Sequence, residues 1–344
     1  MYSFRNDYNE TCHPKILEEL TKLKDVQFVG YGKDDLCDSA KEKMKSALKS
    51  DSDIHFITGG TQANLTVIAS ILKPYQGVIS ADSGHIYTHE TGAIEACGHK
   101  ILTISSSDGK IYAKDVEKLI SDHHLDANSE HTTMPAMVYI SNPTELGTIY
   151  KKDELKKLHD VCIKYNVPLY MDGARLAYAL SALENDINLE DYKDLVDVFY
   201  IGGTKCGALF GEAIVFNNKT LSKDFRYSLK QRGGLLAKGF LLGAQFDTLF
   251  SDNLYYEIGE HANNLAAKLN DELLKRNVKM LSKRYSNQLF LILANTVIEK
   301  LKNSYEFETW QVMDNDTTAI RIVVSWASKE EKIYEFISDL DKII

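Results

Sequence analysis

The stretch Asp197-Val-Phe-Tyr-Ile-Gly-Gly-Thr-Lys-Cys-Gly207 decides how this chain is read. Its first five residues form an apolar, β-branched and aromatic run of the kind that makes a buried strand, and the glycines end it. Lys205 then stands among small residues, whereas a surface lysine more naturally lies on a helix face. Small neighbours leave room for a ligand. A lysine whose surroundings lower its pKa becomes a nucleophile toward an aldehyde. Alone, Lys205 also reads as a phosphate-binding or solvated lysine.

Runs of the same strand-like character occur at 53–58, 77–80, 100–104, 136–141, 168–171 and 213–216, and amphipathic stretches such as 151–165 fit helices that cross between them. Seven strands alternating with helices imply an α/β fold with a large, mostly parallel seven-stranded sheet. After about residue 219 the pattern changes. Helical periodicity runs through 225–249 and 256–276, strands recur at 288–294 and 319–325, and a helix closes the chain from 329. This predicts a large domain over 14–249 and a smaller C-terminal α+β domain over 250–344, joined by a long helix, with residues 1–13 near the site.

Two further segments sit at strand ends, where α/β sheets bind ligands. In Thr58-Gly-Gly-Thr-Gln-Ala-Asn64 a strand leads into an apolar helix through glycines, so that free N–H groups at the helix start can cradle a phosphate. No lysine follows the glycines, so this is not a Walker loop, and a plain glycine turn is the alternative. In Met171-Asp-Gly-Ala-Arg175 an apolar strand ends in a carboxylate. Asp172 reads either as a helix cap or as a fixed anion that keeps a pyridine nitrogen protonated.

The order of the three segments carries more than any one of them. A glycine-threonine turn, an Asp about 110 residues later and a Lys about 30 beyond it resemble the aspartate-aminotransferase-like class of pyridoxal-phosphate enzymes. Asp82-Ser-Gly-His-Ile-Tyr-Thr-His-Glu-Thr-Gly-Ala93, Pro143-Thr-Glu-Leu-Gly-Thr148, Asp172-Gly-Ala-Arg175, Gly202-Gly-Thr-Lys205 and Ile320-Arg-Ile-Val-Val-Ser-Trp326 narrow the likeness. Together they are similar to the low-specificity L-threonine aldolases of the β-eliminating lyase family, from Asn6-Asp7 to Trp326.

That resemblance implies pyridoxal 5'-phosphate joined to Lys205, with its phosphate at Gly60 and Thr61 and Thr204 beside it. It implies His85 stacked on the ring, Asp172 on the ring nitrogen, Arg175 near the 3-hydroxyl and Arg321 taking the substrate carboxylate. Asn6 and Tyr31 join the substrate set, Asn6 standing where relatives commonly carry serine. His131, just before the strand at 136–141, is the expected base for the substrate's β-hydroxyl, with His85 or an ordered water as alternatives. His89 departs from an aromatic position and its role stays open. Without the resemblance, His85 also reads as a loop histidine, although Gly84 before it and Glu90 after it fit a site loop better, and Arg321 is equally part of an exposed strand face.

The implied activity is retro-aldol cleavage of threonine-like amino acids to glycine and an aldehyde. Two rivals stay open: another α-carbon reaction with the same cofactor (β-elimination, transamination or racemisation), and a non-catalytic phosphate-ligand-binding protein on the same sheet. The net charge of −9 argues against nucleic-acid or membrane-surface partners, since both need a basic face. No apolar run approaches the ~20 residues of a membrane span. Five scattered cysteines without a CxxC pair read as free thiols, with no metal site, in the cytoplasm. A small-molecule amino-acid substrate is the expected partner. The class also implies a homodimer or homotetramer with shared active sites, to which Tyr31-Gly32 and 230–234 with Arg232 contribute from a neighbour.

Overall fold

The computed structural model describes residues 1–344. Its strands are β1 (Tyr2–Ser3), β2 (Asp53–Ile57), β3 (Gln76–Ala81), β4 (Ile101–Ile104), β5 (Met134–Ser141), β6 (Leu169–Asp172), β7 (Val198–Gly202), β8 (Glu212–Phe216), β9 (Lys279–Met280), β10 (Gln288–Ala294), β11 (Tyr305–Glu306), β12 (Glu308–Val312) and β13 (Thr317–Val323). Seven form one sheet in the order β2-β8-β7-β6-β5-β3-β4. Only β8 runs against its neighbours, so the other six end at one edge of the sheet.

The five inner strands are buried on both faces, which is why they read as continuous apolar runs, whereas the edge strands β2 and β4 are partly exposed. Alternate residues feed two cores. Met171, Phe199, Ile201 and Val215 belong to the larger, and Tyr139, Tyr170, Val198 and Tyr200 to the smaller. The chain lays β3 and β4 toward one edge and then returns through β5. The loops after β3 and β5 therefore open a crevice at the carboxyl end of the sheet, where α/β folds take ligands.

The second sheet is antiparallel, in the order β12-β13-β10-β9, with the helix Glu330–Asp341 closing the chain. The expected helix over 225–249 is two, Phe225–Gln231 and Phe240–Leu249, separated by a turn in which Gly233 has φ +76°. The long helix is the next one, Leu254–Lys275. It lies along the short helix Leu176–Leu180 so closely that a Cβ on Gly259 would stand 2.1 Å from the Ala177 carbonyl oxygen. The N-terminal segment ties the two sheets together. β1 pairs with β11, Phe4 is buried, and the Phe4 carbonyl accepts the Val323 N–H. No helix is long and apolar enough to cross a membrane.

Candidate active site

Asp172 is the last residue of β6, two residues after Tyr170 and on the same face. The register places Ser141 on one side of it and, one strand over, Tyr170 opposite Val198, so the tyrosines of β5 and β7 point at the carboxylate. Tyr200 Oη donates to Oδ1 at 2.5 Å and Tyr139 Oη to Oδ2 at 2.8 Å. The Ala174 N–H (3.0 Å) and Asn64 Nδ2 (3.1 Å) complete the set. Burial disfavours the charged form, yet His85, the Tyr200 hydroxyl and the Ala174 N–H outweigh it and hold the carboxyl below its usual range. The product is an ionised carboxylate in a buried place.

Lys205 lies in the turn between β7 and β8. The Gly203 N–H and the Thr204 hydroxyl donate to the Glu212 carboxylate at 2.9 and 2.8 Å, while Tyr178 Oη donates to the Lys205 carbonyl at 2.6 Å. The backbone is clamped and the side chain is left alone. Its Nζ makes no hydrogen bond or ion pair and lies 5.9 Å from the centre of the Tyr8 ring. Burial, reinforced by the Arg175 charge, pulls the ammonium below the ordinary lysine value.

His85 begins a single helical turn after β3, and its Nδ1 meets Glu90 Oε1 at 2.8 Å. The same oxygen accepts from Asn64 Nδ2 at 2.7 Å, so one chain of contacts runs from His85 through Glu90 and Asn64 to Asp172. Opposite, the helix Gly60–Ile71 starts after an extended Gly59, and its first hydrogen-bonded N–H is that of Ala63. The N–H groups before it are free to bind an anion. Gly60 is needed there, because a Cβ would stand 3.0 Å from the Tyr200 hydroxyl. Gly60, Thr61, His85, Asp172, Arg175, Thr204 and Lys205 all line one cavity of about 330 Å³.

A second cavity of about 320 Å³ adjoins it, lined by Asn6, His89, Arg175 and Arg321 among others. Arg175 forms a fork with the buried Asp7, Nε to Oδ2 at 2.7 Å and Nη2 to Oδ1 at 3.0 Å, and Asn287 supports Asp7 at 3.1 Å. Arg321 is not on an exposed strand face. Its Nη2 pairs with Glu308, its Nη1 donates to Gln288 at 3.3 Å, and its guanidinium lies 5.3 Å from the centre of the Trp310 ring. Its Nε is buried without a partner. His89 sits at the mouth, its ring centre 5.5 Å from that of His85. Burial and then the His85 charge hold its imidazole below the ordinary value.

Two expected residues are not brought to this place. His131 ends an exposed turn, Ser129–His131, that enters β5, whereas the site lies where β5 leaves the sheet. Eight residues at ~3.3 Å each separate the two ends by roughly 25 Å, so His131 is not the base of its own chain's site. Tyr31 lines a separate cavity with Gly32, Cys37 and Arg226. Arg232 turns its Nη1 to Cys97 Sγ at 3.2 Å. In exchange the structure supplies residues that the sequence did not single out: Asp7, Tyr8, Asn64, Tyr139, Glu145, Tyr200, Glu212 and Glu308. Asp7, Asn64, Glu145 and Tyr200 lie within segments quoted above but were given no role there, and Tyr8, Tyr139, Glu212 and Glu308 have no local pattern to mark them.

The chain as a whole is similar to several known proteins. The family model described as beta-eliminating lyase matches residues 23–296. A low specificity L-threonine aldolase of Pseudomonas aeruginosa is 31% identical over 315 residues, 90% of this chain and 88% of that protein. A threonine aldolase structure from Leishmania major is 43% identical, with a TM-score of 0.96 over 99% of each chain. An aspartate aminotransferase of Thermus thermophilus is 11% identical with a TM-score of 0.71, over 100% of this chain and 92% of that one, and so shares the fold.

Proposed function

The chain belongs to the β-eliminating lyase family, and from that membership we propose that it is a pyridoxal-phosphate-dependent aldehyde-lyase. It cleaves L-threonine, L-allo-threonine and other β-hydroxy-α-amino acids to glycine and an aldehyde. The observation that carries this reading is the grouping, around one cavity, of a half-buried lysine without a partner, an aspartate ionised by its surroundings and an imidazole clamped by a glutamate.

The residues fit the cofactor. The helix start at Gly60 offers free N–H groups for a phosphate and Gly59 before it faces open space, Thr204 stands beside Lys205, and Asp172 is a buried anion that suits a protonated pyridine nitrogen. Pyridoxal phosphate bound there supplies an aldehyde that condenses with amines and a ring that accepts the electron pair released at an α-carbon. Lys205 is the point of attachment. Its lowered proton affinity favours the nucleophilic amine. Asp172 keeps a proton on the ring nitrogen, and His85, with one ring nitrogen committed to Glu90, covers a face of the ring. Arg321, with Asn6, takes the substrate carboxylate, since a guanidinium matches a carboxylate through two parallel hydrogen bonds, while Arg175, whose Nε and Nη2 are committed to Asp7, lies near the ring's 3-hydroxyl and adds its charge to the substrate cavity. Fixing the carboxylate also fixes which bond at the α-carbon stands ready to break.

An absorption spectrum of the purified protein beside that of Lys205→Ala, together with an assay for acetaldehyde release from threonine, tests this. The expected result is a visible band that borohydride fixes onto Lys205, and aldehyde from the unaltered protein alone. A band without aldehyde would transfer the site to another α-carbon reaction. A colourless protein after adding the cofactor would leave only a phosphate-ligand-binding protein.

We assign the cofactor domain to residues 14–249 and the smaller domain to 250–344. We place the enzyme in the cytoplasm, for which its five free thiols speak. A homodimer or homotetramer with shared sites is supported by Tyr31, which is 43% exposed at φ +63°, with Lys230 Nζ 4.5 Å from its ring centre. Light scattering of the holoenzyme checks the assembly, and a monomer would rule out the sharing.

A further inference from the structure

The two cavities share five lining residues, Tyr8, His85, Glu145, Arg175 and Lys205. A molecule that spans both cavities passes these five. Tyr8 lays its ring beside Lys205 Nζ, and His85, Arg175 and Lys205 already have roles above. Glu145, in the loop that leaves β5, has none. Its Oε1 is anchored twice, accepting from Ser141 Oγ at 2.7 Å and from the His85 N–H at 3.0 Å. Its Oε2 has no hydrogen-bond partner and is not among the sealed atoms of the interior, so it faces the cavity. One oxygen is held while the other is presented. Burial raises the affinity of this carboxyl for a proton, with the Ser141 hydroxyl opposing and Asp172 adding to it.

The competing groups are otherwise placed. His131 is at the far end of β5, His85 has one ring nitrogen committed to Glu90, and His89 lines only the outer cavity. Resting on the retro-aldol reading, we propose that Glu145 is the catalytic base for the substrate's β-hydroxyl. Its Oε2 takes the hydroxyl proton as the Cβ–O bond becomes a carbonyl and the Cα–Cβ bond breaks, leaving the electron pair on the α-carbon. The α-carbon then takes up one proton to become that of glycine, and Glu145 returns one to water. Charge and protons balance over the turnover.

The test compares the holoenzyme with Glu145→Gln, which keeps an oxygen for the two anchoring donors, and with Glu145→Asp. Three quantities are read: cofactor affinity by fluorescence titration, exchange of the glycine α-proton for deuterium by NMR, and acetaldehyde release from threonine. Glycine has no β-hydroxyl, so its exchange does not need this base. The expectation for Glu145→Gln is a fall in aldehyde release of roughly 10²- to 10⁴-fold, with cofactor affinity and glycine exchange within about threefold of the unaltered enzyme. Glu145→Asp is expected to regain part of the cleavage. Cleavage within threefold of normal in Glu145→Gln would overturn the proposal, as would parallel loss of cofactor binding or glycine exchange. If the unaltered enzyme binds the cofactor and exchanges glycine but releases no aldehyde, the parent reading fails instead.

Discussion

Glu212 shows how much a single buried group contributes around Lys205. Burial pushes its carboxyl up to about 7 from the ordinary 4.5, even though the Thr204 hydroxyl, the Gly203 N–H and the Lys205 charge all pull the other way. The folded chain binds this proton more tightly than the unfolded chain, so its contribution to stability is fully present below about 4.5 and is lost as pH rises through about 7. A difference of that size corresponds to something on the order of 3 kcal/mol. In the cofactor-free protein the melting temperature is therefore expected to fall between pH 5 and 7.5, and to fall less in Glu212→Gln; equal slopes in the two proteins would refute the assignment. Residues of this kind explain what the sequence hid. Asp172 was legible because it ends an apolar run and Lys205 because it stands among small residues after one, and their order behind the glycine turn at 58–64 carried more than either alone. Glu212 begins a strand and Glu145 sits in a loop, positions where an acid ordinarily faces water, and only the tertiary structure buries the first and turns the second, half-buried, into the cavity.

The elements hold these groups by backbone fit. The turn carrying Lys205 approaches the start of β8 so closely that a Cβ on Gly203 would stand 2.6 Å from the Gly211 carbonyl oxygen and 2.9 Å from Phe246. Neither the carbonyl nor the packed ring can yield without moving the turn. Gly203→Ala is expected to fold with a loss of about 1–3 kcal/mol, typical of overpacking, and to bind the cofactor at least about tenfold more weakly, since the strain falls two residues from the attachment point. Urea unfolding and fluorescence titration measure the two effects, and unchanged values would show that the turn has slack. The strands of the large sheet were readable because burial on both faces leaves an unbroken apolar run. By contrast β12, Glu308–Val312, has mostly exposed or half-buried residues, so it was missed, and Glu308 and Trp310 with it. The break between Phe225–Gln231 and Phe240–Leu249 was missed because apolar periodicity continues across it; Gly233 at φ +76° was the one local sign.

At the scale of the whole molecule, residues 1–13 lock the two sheets around the site. Phe4 packs in the core beside the small sheet, and three residues later Asp7 is fully buried against Arg175, which follows β6 of the large sheet, and Asn287, which precedes β10 of the small one. Burial alone would raise the Asp7 carboxyl, but Arg175 and Lys205 bring it below the ordinary range, so a charged pair holds the contact. Removing one member of such a pair leaves the other charge buried alone, at a cost of about 3–5 kcal/mol. Asp7→Asn is therefore expected to lower stability by about that much and to raise KM, because Arg175 loses the partner that aims it. The double variant Asp7→Asn with Arg175→Met separates the two consequences. With no unpaired charge left, unfolding in urea is expected to recover most of the lost stability, while threonine cleavage stays impaired because a guanidinium is missing from the substrate cavity. Recovery of both would mean that Arg175 serves the fold and not the substrate. Recovery of neither would mean that the N-terminal segment is held by packing at Phe4 rather than by this pair.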